Sequence, residues 1–173
     1  MMNRFKLSLI FQCLIFLIPL NIYMWGDWIL VNVQWALFRF QRAFIQFNES
    51  GYVDSYIVGY KDMLYIIQGQ STGLYNIAAA LFWTTGVLIL LAGLIITIIA
   101  FIREEPDKLK TASYCTLAGG IFLGLSALCR FNGGFAIPLG VPIILIIGWW
   151  MNKAADETDD TDDEPEDSVN NPE

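Results

Sequence analysis

The run Ile77 to Ile102 holds 26 consecutive residues without one charged side chain. At about 1.5 Å per residue, a helix through it reaches roughly 39 Å. The hydrocarbon core of a bilayer is about 30 Å thick, so the run predicts a membrane span with length to spare. No other feature of the chain limits its fold so strongly.

Three further apolar stretches accompany it. Leu7 to Trp25 follows Arg4 and Lys6, which is the flank of a signal peptide, but its exit reads Asn21-Ile22-Tyr23-Met24-Trp25, with no small-x-small cleavage site. It is read as an uncleaved anchor and first span, with Pro19 placed to kink it. Thr111 to Cys129 and Gly134 to Met151 are free of charge, and only Arg130-Phe131-Asn132-Gly133 separates them. So short a link predicts a tight helical hairpin with Asn-Gly at the turn.

The expected fold is therefore an all-α integral membrane protein with four transmembrane helices, at about 7–25, 77–102, 111–129 and 134–151. A long amphipathic outer loop covers 26–76, and a disordered acidic C-terminal tail follows the 1–155 membrane domain. Arg4, Lys6, Arg103, Lys108, Lys110 and Lys153 hug the ends of these spans on one side. That bias places both termini in the cytoplasm; which membrane is involved is not encoded. Tyr23, Trp25 and Trp28 at one end, with Trp149 and Trp150 at the other, match interfacial aromatic belts.

The net charge of −7 is unevenly distributed. Residues 156–173 hold ten of the 17 acidic groups and no Lys or Arg, which leaves a net of +3 on residues 1–155. With ten like charges, two prolines and one aliphatic residue, 156–173 has too little apolar surface to fold alone. It reads as a solubilising tail or as a docking element for a basic protein partner. Thr161-Asp162-Asp163-Glu164 has the form of an acidic-directed kinase site.

In the outer loop, residues 28–47 read WILVNVQWALFRFQRAFIQF. Asn32, Arg39 and Gln46 recur every seven residues, as do Gln34 and Gln41, which would place each set in one helical stripe. Strand alternation also occurs locally, in Phe38-Arg39-Phe40-Gln41. Length favours the helix, and Arg39 with Arg42 would then make it an interfacial one. The segment 56–68 has Tyr56, Tyr60, Met63, Leu64 and Ile67 at helical spacing. Asn48-Glu49-Ser50 is a glycosylation sequon, with Asn48 the acceptor.

Several classes of chemistry lack their residues. Histidine is absent, which removes the commonest metal ligand and general base. Cys13, Cys115 and Cys129 lie in or at the ends of apolar runs and read as packing residues rather than a disulfide framework. No catalytic set, phosphate loop or metal-spaced cluster occurs, so no catalytic residue, cofactor or metal is expected, and nothing points to nucleic acid. No Asp, Glu, Lys or Arg lies inside any expected span, which disfavours ion-coupled transport. Gln12, Asn21, Thr84, Thr85, Thr97, Thr116 and Ser126 remain, suited to bonding between helices.

Small residues form two stripes. Ala79, Gly86, Gly93 and Ala100 recur at intervals of seven, and Thr116, Gly120 and Gly124 at intervals of four. Both let helix backbones approach closely, within one bundle or against another subunit. Pro138 and Pro142, four apart, are expected to bend the last span.

In layout (four spans, inside termini and a long first outer loop) the chain resembles the claudin and peripheral-myelin families. Their Trp…Gly-Leu-Trp…Cys…Cys loop signature is missing. The loop has no cysteine, and Gly73-Leu74-Tyr75 lies against the second span. The resemblance therefore implies topology and no function. The functional expectation is a non-catalytic accessory subunit or scaffold of a membrane complex, whose partners are the lipid bilayer and other membrane subunits or itself. The alternative is a small homo-oligomeric channel or passive facilitator.

Overall fold

A computed structural model describes residues 4–25, 30–43, 52–57, 60–69, 73–131 and 134–162. Its elements run α1 (Arg4–Leu17), β1 (Asn21–Trp25), β2 (Leu30–Gln34), β3 (Phe38–Ala43), β4 (Tyr52–Ile57), α2 (Tyr60–Ile67), α3 (Leu74–Arg103), α4 (Pro106–Arg130), β5 (Gly134–Ile137) and α5 (Gly140–Asp162).

The expectation of an all-α fold with four transmembrane helices is corrected in two respects. First, a five-stranded antiparallel sheet in the order β4-β3-β2-β1-β5 forms beside the helices. Second, among the described residues only α3 and α4 are long and apolar enough to cross a membrane. Helix α1 has 14 residues, about 21 Å. The apolar part of α5, residues 140–151, is 12 residues or about 18 Å.

Prolines decide both shortfalls. Pro19 has no N–H to continue α1, so the helix stops rather than kinks, and the chain is paired as β1 from Asn21. Pro138 sits between β5 and α5, and Pro142 is the third residue of α5, where a helix needs no backbone donor. Neither bends a span. The expected helical hairpin after Arg130 is likewise replaced, on its described residues, by strand β5.

Helices α3 and α4 form an antiparallel hairpin joined by Glu104 and Glu105. Glu104 takes the left-handed conformation (φ 54°) that ends α3, and Pro106 opens α4 at a position that suits its fixed φ. Helix α4 therefore begins five residues before the expected span. Helix α5 runs along α4 from Gly124 to Lys110, α1 packs toward the same joint, and the sheet meets the opposite end of the hairpin at Trp83 and Arg130.

The segment 28–47 is not a helix on its described residues. It is a β2–β3 hairpin, closed by the Trp35 N–H donating to Phe38 O at 2.7 Å. The register pairs Asn32 with Gln41 and Gln34 with Arg39. Cross-strand diagonals therefore account for the seven-residue recurrences that imitate a helical stripe. Gln46 and the Asn48 sequon lie outside the described residues. Among the described residues of 56–68 only α2 is helical, and Tyr56 belongs to β4.

The acidic tail is corrected over its first part. Residues 156–162 continue α5, while 163–173 lie outside the described residues. Asp156 accepts from Lys110 Nζ at 2.7 Å, and Glu157 meets Arg4 at 2.8 Å. These pairs bring the starts of α1 and α4 and the end of α5 to one level. Being solvated, each contributes less than about 1 kcal/mol.

Candidate functional site

Helix α3 carries two interleaved series seven residues apart. Ala79, Gly86, Gly93 and Ala100 are all buried, whereas Leu74, Leu81, Leu88, Ile95 and Ile102 are all exposed. An offset of two residues is about 200° around a helix, so these are opposite faces. The small series faces α4. A Cβ at Gly86 would lie 3.1 Å from Gly119 O, and one at Gly93 3.1 Å from Cys115 Cβ and 3.2 Å from Gln12 Nε2. Thr116 is buried against α1, while Gly120 and Gly124 face α5, with Ile144 Cγ2 at 3.0 Å and Val141 Cγ1 at 3.5 Å. Both stripes are thus occupied by neighbours in the same chain.

Three glycines outside the stripes are tighter than any in them. A Cβ at Gly119 would lie 2.7 Å from Leu90 Cγ, and one at Gly148 2.8 Å from Leu117 Cγ. At Gly140 it would lie 2.7 Å from Leu20 Cα, where the Gly140 N–H donates to Leu20 O. Gly119 lies outside the seven- and four-residue series, and Gly140 stands between Pro138 and Pro142.

Polar side chains inside the helices bond to backbone carbonyls and to one another. Thr116 Oγ1 donates to Gln12 Oε1 at 3.0 Å or to Ala112 O at 2.9 Å, and Gln12 Nε2 donates to Leu90 O at 3.4 Å. Ser126 Oγ donates to Ala79 O at 2.6 Å, and Thr97 Oγ1 to Gly93 O at 2.8 Å. Ser113 links to Asn152 Oδ1 at 3.2 Å. Thr84 Oγ1 has no hydrogen-bond partner among the described residues, and Thr85 is exposed.

The sheet reverses the usual partition of polar and apolar residues. Asn21, Tyr23, Asn32, Gln34 and Arg39 share one face through the registers, and all are buried. The opposite face carries Ile22, Met24, Val31, Val33, Phe38, Phe40, Phe135 and Ile137, none of them buried. Strand alternation aims the polar set at α3 and α4 and the apolar set outward.

Two cations organise the buried face. Arg39 forks onto Asp62 of α2, with Nη1–Oδ1 at 3.1 Å and Nη2–Oδ2 at 2.8 Å; their side chains are 5% and 10% exposed. The guanidinium carbons of Arg39 and Arg130 lie 5.5 and 4.5 Å from the Tyr23 ring centroid. Trp83 Nε1 donates to Ala36 O at 3.3 Å. In the amide orientation that satisfies both neighbours, Gln34 Oε1 accepts from Trp83 Nε1 at 3.1 Å and Arg39 Nη2 at 3.3 Å. The Asn21 and Asn32 amides have no hydrogen-bond partner among the described residues. Arg42, grouped with Arg39 by the helical reading, is exposed on the other face.

The Arg39–Asp62 pair is the feature that sequence reasoning missed. Its signal was the alternation of Asn32-x-Gln34 and Arg39-x-Gln41, which places four polar residues on one strand face. Chemically, a buried fork of this kind positions α2 on the sheet and leaves neither partner accessible to a substrate. Cys13, Cys115 and Cys129 are free thiols, and no three of Cys, Asp or Glu gather at metal-binding distance among the described residues. No protein-family model, curated protein or solved structure matches this chain.

Proposed function

We propose that the protein is a non-catalytic membrane subunit or scaffold that docks to a second membrane polypeptide through the outward apolar face of its sheet. The observation that carries this reading is the inverted sheet. Phe38, Phe40 and Phe135 stand exposed while an arginine, two asparagines and a glutamine are buried behind them. A sheet in water hides its apolar face; one that presents it expects a cover.

The membrane assignment is supported by the helices. Leu88, Ile95 and Ile102 of α3 are 61%, 59% and 71% exposed, and Tyr114, Ile121 and Leu128 continue the apolar girdle on α4. Helix α1 adds Ile10, Leu14 and Leu17, and α5 adds Ile143, Ile146 and Trp149. Leu81 to Ile102 rises about 32 Å, close to one hydrocarbon thickness. In this reading α3 and α4 cross the bilayer, and Arg4, Arg103, Lys110 and Lys153 mark the cytoplasmic end, where both termini lie.

The alternative, a small homo-oligomeric channel, would need its path between copies rather than within one chain. Ile15, Leu90, Leu123 and Ile144 fill the helical interior at 0% exposure, and Gln12 and Thr116 bond to each other rather than line a path. The test is to isolate the tagged protein from its native membrane in mild detergent and determine the composition of the complex. A stoichiometric foreign subunit is expected, lost from a Phe38→Asn, Phe40→Thr double variant that keeps its thermal stability. A homo-oligomer alone, or a partner retained by that variant, would refute the docking face.

A further inference from the structure

Helix α2 stands off α3 across a groove of 370 Å³ that Ala36 and Leu37 of the β2–β3 turn also line. One wall is Met63, Leu64 and Ile67 of α2; the other is Val87, Leu88 and Leu91 of α3. We infer that this groove holds one acyl chain of a membrane lipid from the leaflet on the sheet side. The inference rests on the proposal that α3 spans a bilayer.

Three observations carry it. The groove is continuous with the apolar girdle, because Leu88 belongs both to its wall and to the exposed series on α3. Its length fits one leaflet: Trp83 to Leu91 rises about 12 Å, against about 15 Å for half of a hydrocarbon core. Leu91 lies about 16 Å from Ile102 at the cytoplasmic end of the girdle, which puts the inner end of the groove near the bilayer centre. Finally, the Arg39–Asp62 fork holds the first turn of α2 on the sheet, while Ile67, at its far end, is 81% exposed. Two facing apolar walls, one anchored by a buried ion pair, leave a slot for a flexible apolar chain.

The test uses full-length protein in phosphatidylcholine vesicles containing a phosphatidylcholine with a diazirine at the middle of one acyl chain. After irradiation, adducts are mapped by peptide mass spectrometry. A second sample is extracted into detergent and gel-filtered before irradiation. Adducts at Met63, Leu64 and Leu91 are expected in both samples, and adducts at Ile95 and Ile121 only in vesicles. Labelling of Ile95 and Ile121 without the groove residues would overturn the acyl-chain site and leave the membrane reading standing. Labelling of neither set would overturn both. Val87→Trp fills the groove, so it is expected to lose the groove adducts with girdle labelling unchanged; groove adducts that persist would count against the site. If Val87→Trp alters the gel-filtration position, Leu64→Trp closes the slot from the opposite wall and is read the same way.

Discussion

The helical half and the sheet half of this molecule both turn apolar side chains outward and keep polar ones within, but they satisfy the buried polar groups differently. Among the helices, Thr97, Thr116 and Ser126 reach backbone carbonyls, and Gln12 links α1 to α3 and α4. Each such bond is uncharged, and those of Gln12 and Ser126 join residues 47 to 104 apart along the chain. Under the sheet the partners are charged: Arg39 and Asp62 meet through a two-pronged ion pair. The helical half depends on close approach and the sheet half on correct pairing.

The largest effect that tests this contrast is expected at Asp62. Asp62→Ala removes the carboxylate that forks onto a buried guanidinium, and breaking such a pair costs about 3–5 kcal/mol. Thermal unfolding in detergent should show that loss, whereas replacing both partners together, Arg39→Met with Asp62→Leu, should recover most of it. Equal destabilisation by the single and double changes would mean that the pair does not act as a unit.

Next in size is Gly119→Ala. Its methyl would press on Leu90 Cγ, in a side chain at 0% exposure, and overpacking of this kind costs about 1–3 kcal/mol. Unchanged thermal stability would break the claim that close approach of α3 and α4 holds the helical half together. Gln12→Leu comes third. It removes the amide shared by three helices at about 1 kcal/mol, since a single uncharged hydrogen bond contributes modestly to stability. A loss as large as that of Asp62→Ala would erase the distinction between the two halves.

The smallest effect is expected at Gly124→Ala. The added methyl meets Val141 at 3.5 Å, an ordinary contact, and alanine is the better helix former. Stability should hold or rise slightly. A marked loss would restore Gly124 as a critical packing position, the role its spacing from Gly120 implied.

Legibility in the sequence followed the range of the interaction. The small series on α3 was readable because helical period alone puts Ala79, Gly86, Gly93 and Ala100 on one face. The hairpin was not readable with the same ease. Antiparallel pairing brings Gln34 opposite Arg39 and Asn32 opposite Gln41, and that geometry produces the same seven-residue recurrence as a helix. Hydropathy also counted Leu7 to Trp25 as one span, although Pro19 divides it between a helix and a strand.

Gly119, Gly140 and Gly148 carry no periodic mark that sets them apart from Gly120. What distinguishes them is which side chain of another element lies opposite, and that depends on how the helices cross.

By itself the sequence determined that α3 and α4 are long apolar helices, because local hydrogen bonding and side-chain polarity decide helix length and hydropathy. It also determined the acidic end and the absence of histidine. Only the tertiary structure decided that the segments on either side of Leu30–Gln34 pair with it as a sheet, that the polar face of this sheet turns inward, and that Arg39 finds Asp62. Strand register and ion pairing join residues far apart along the chain, and no local period records which of them will meet.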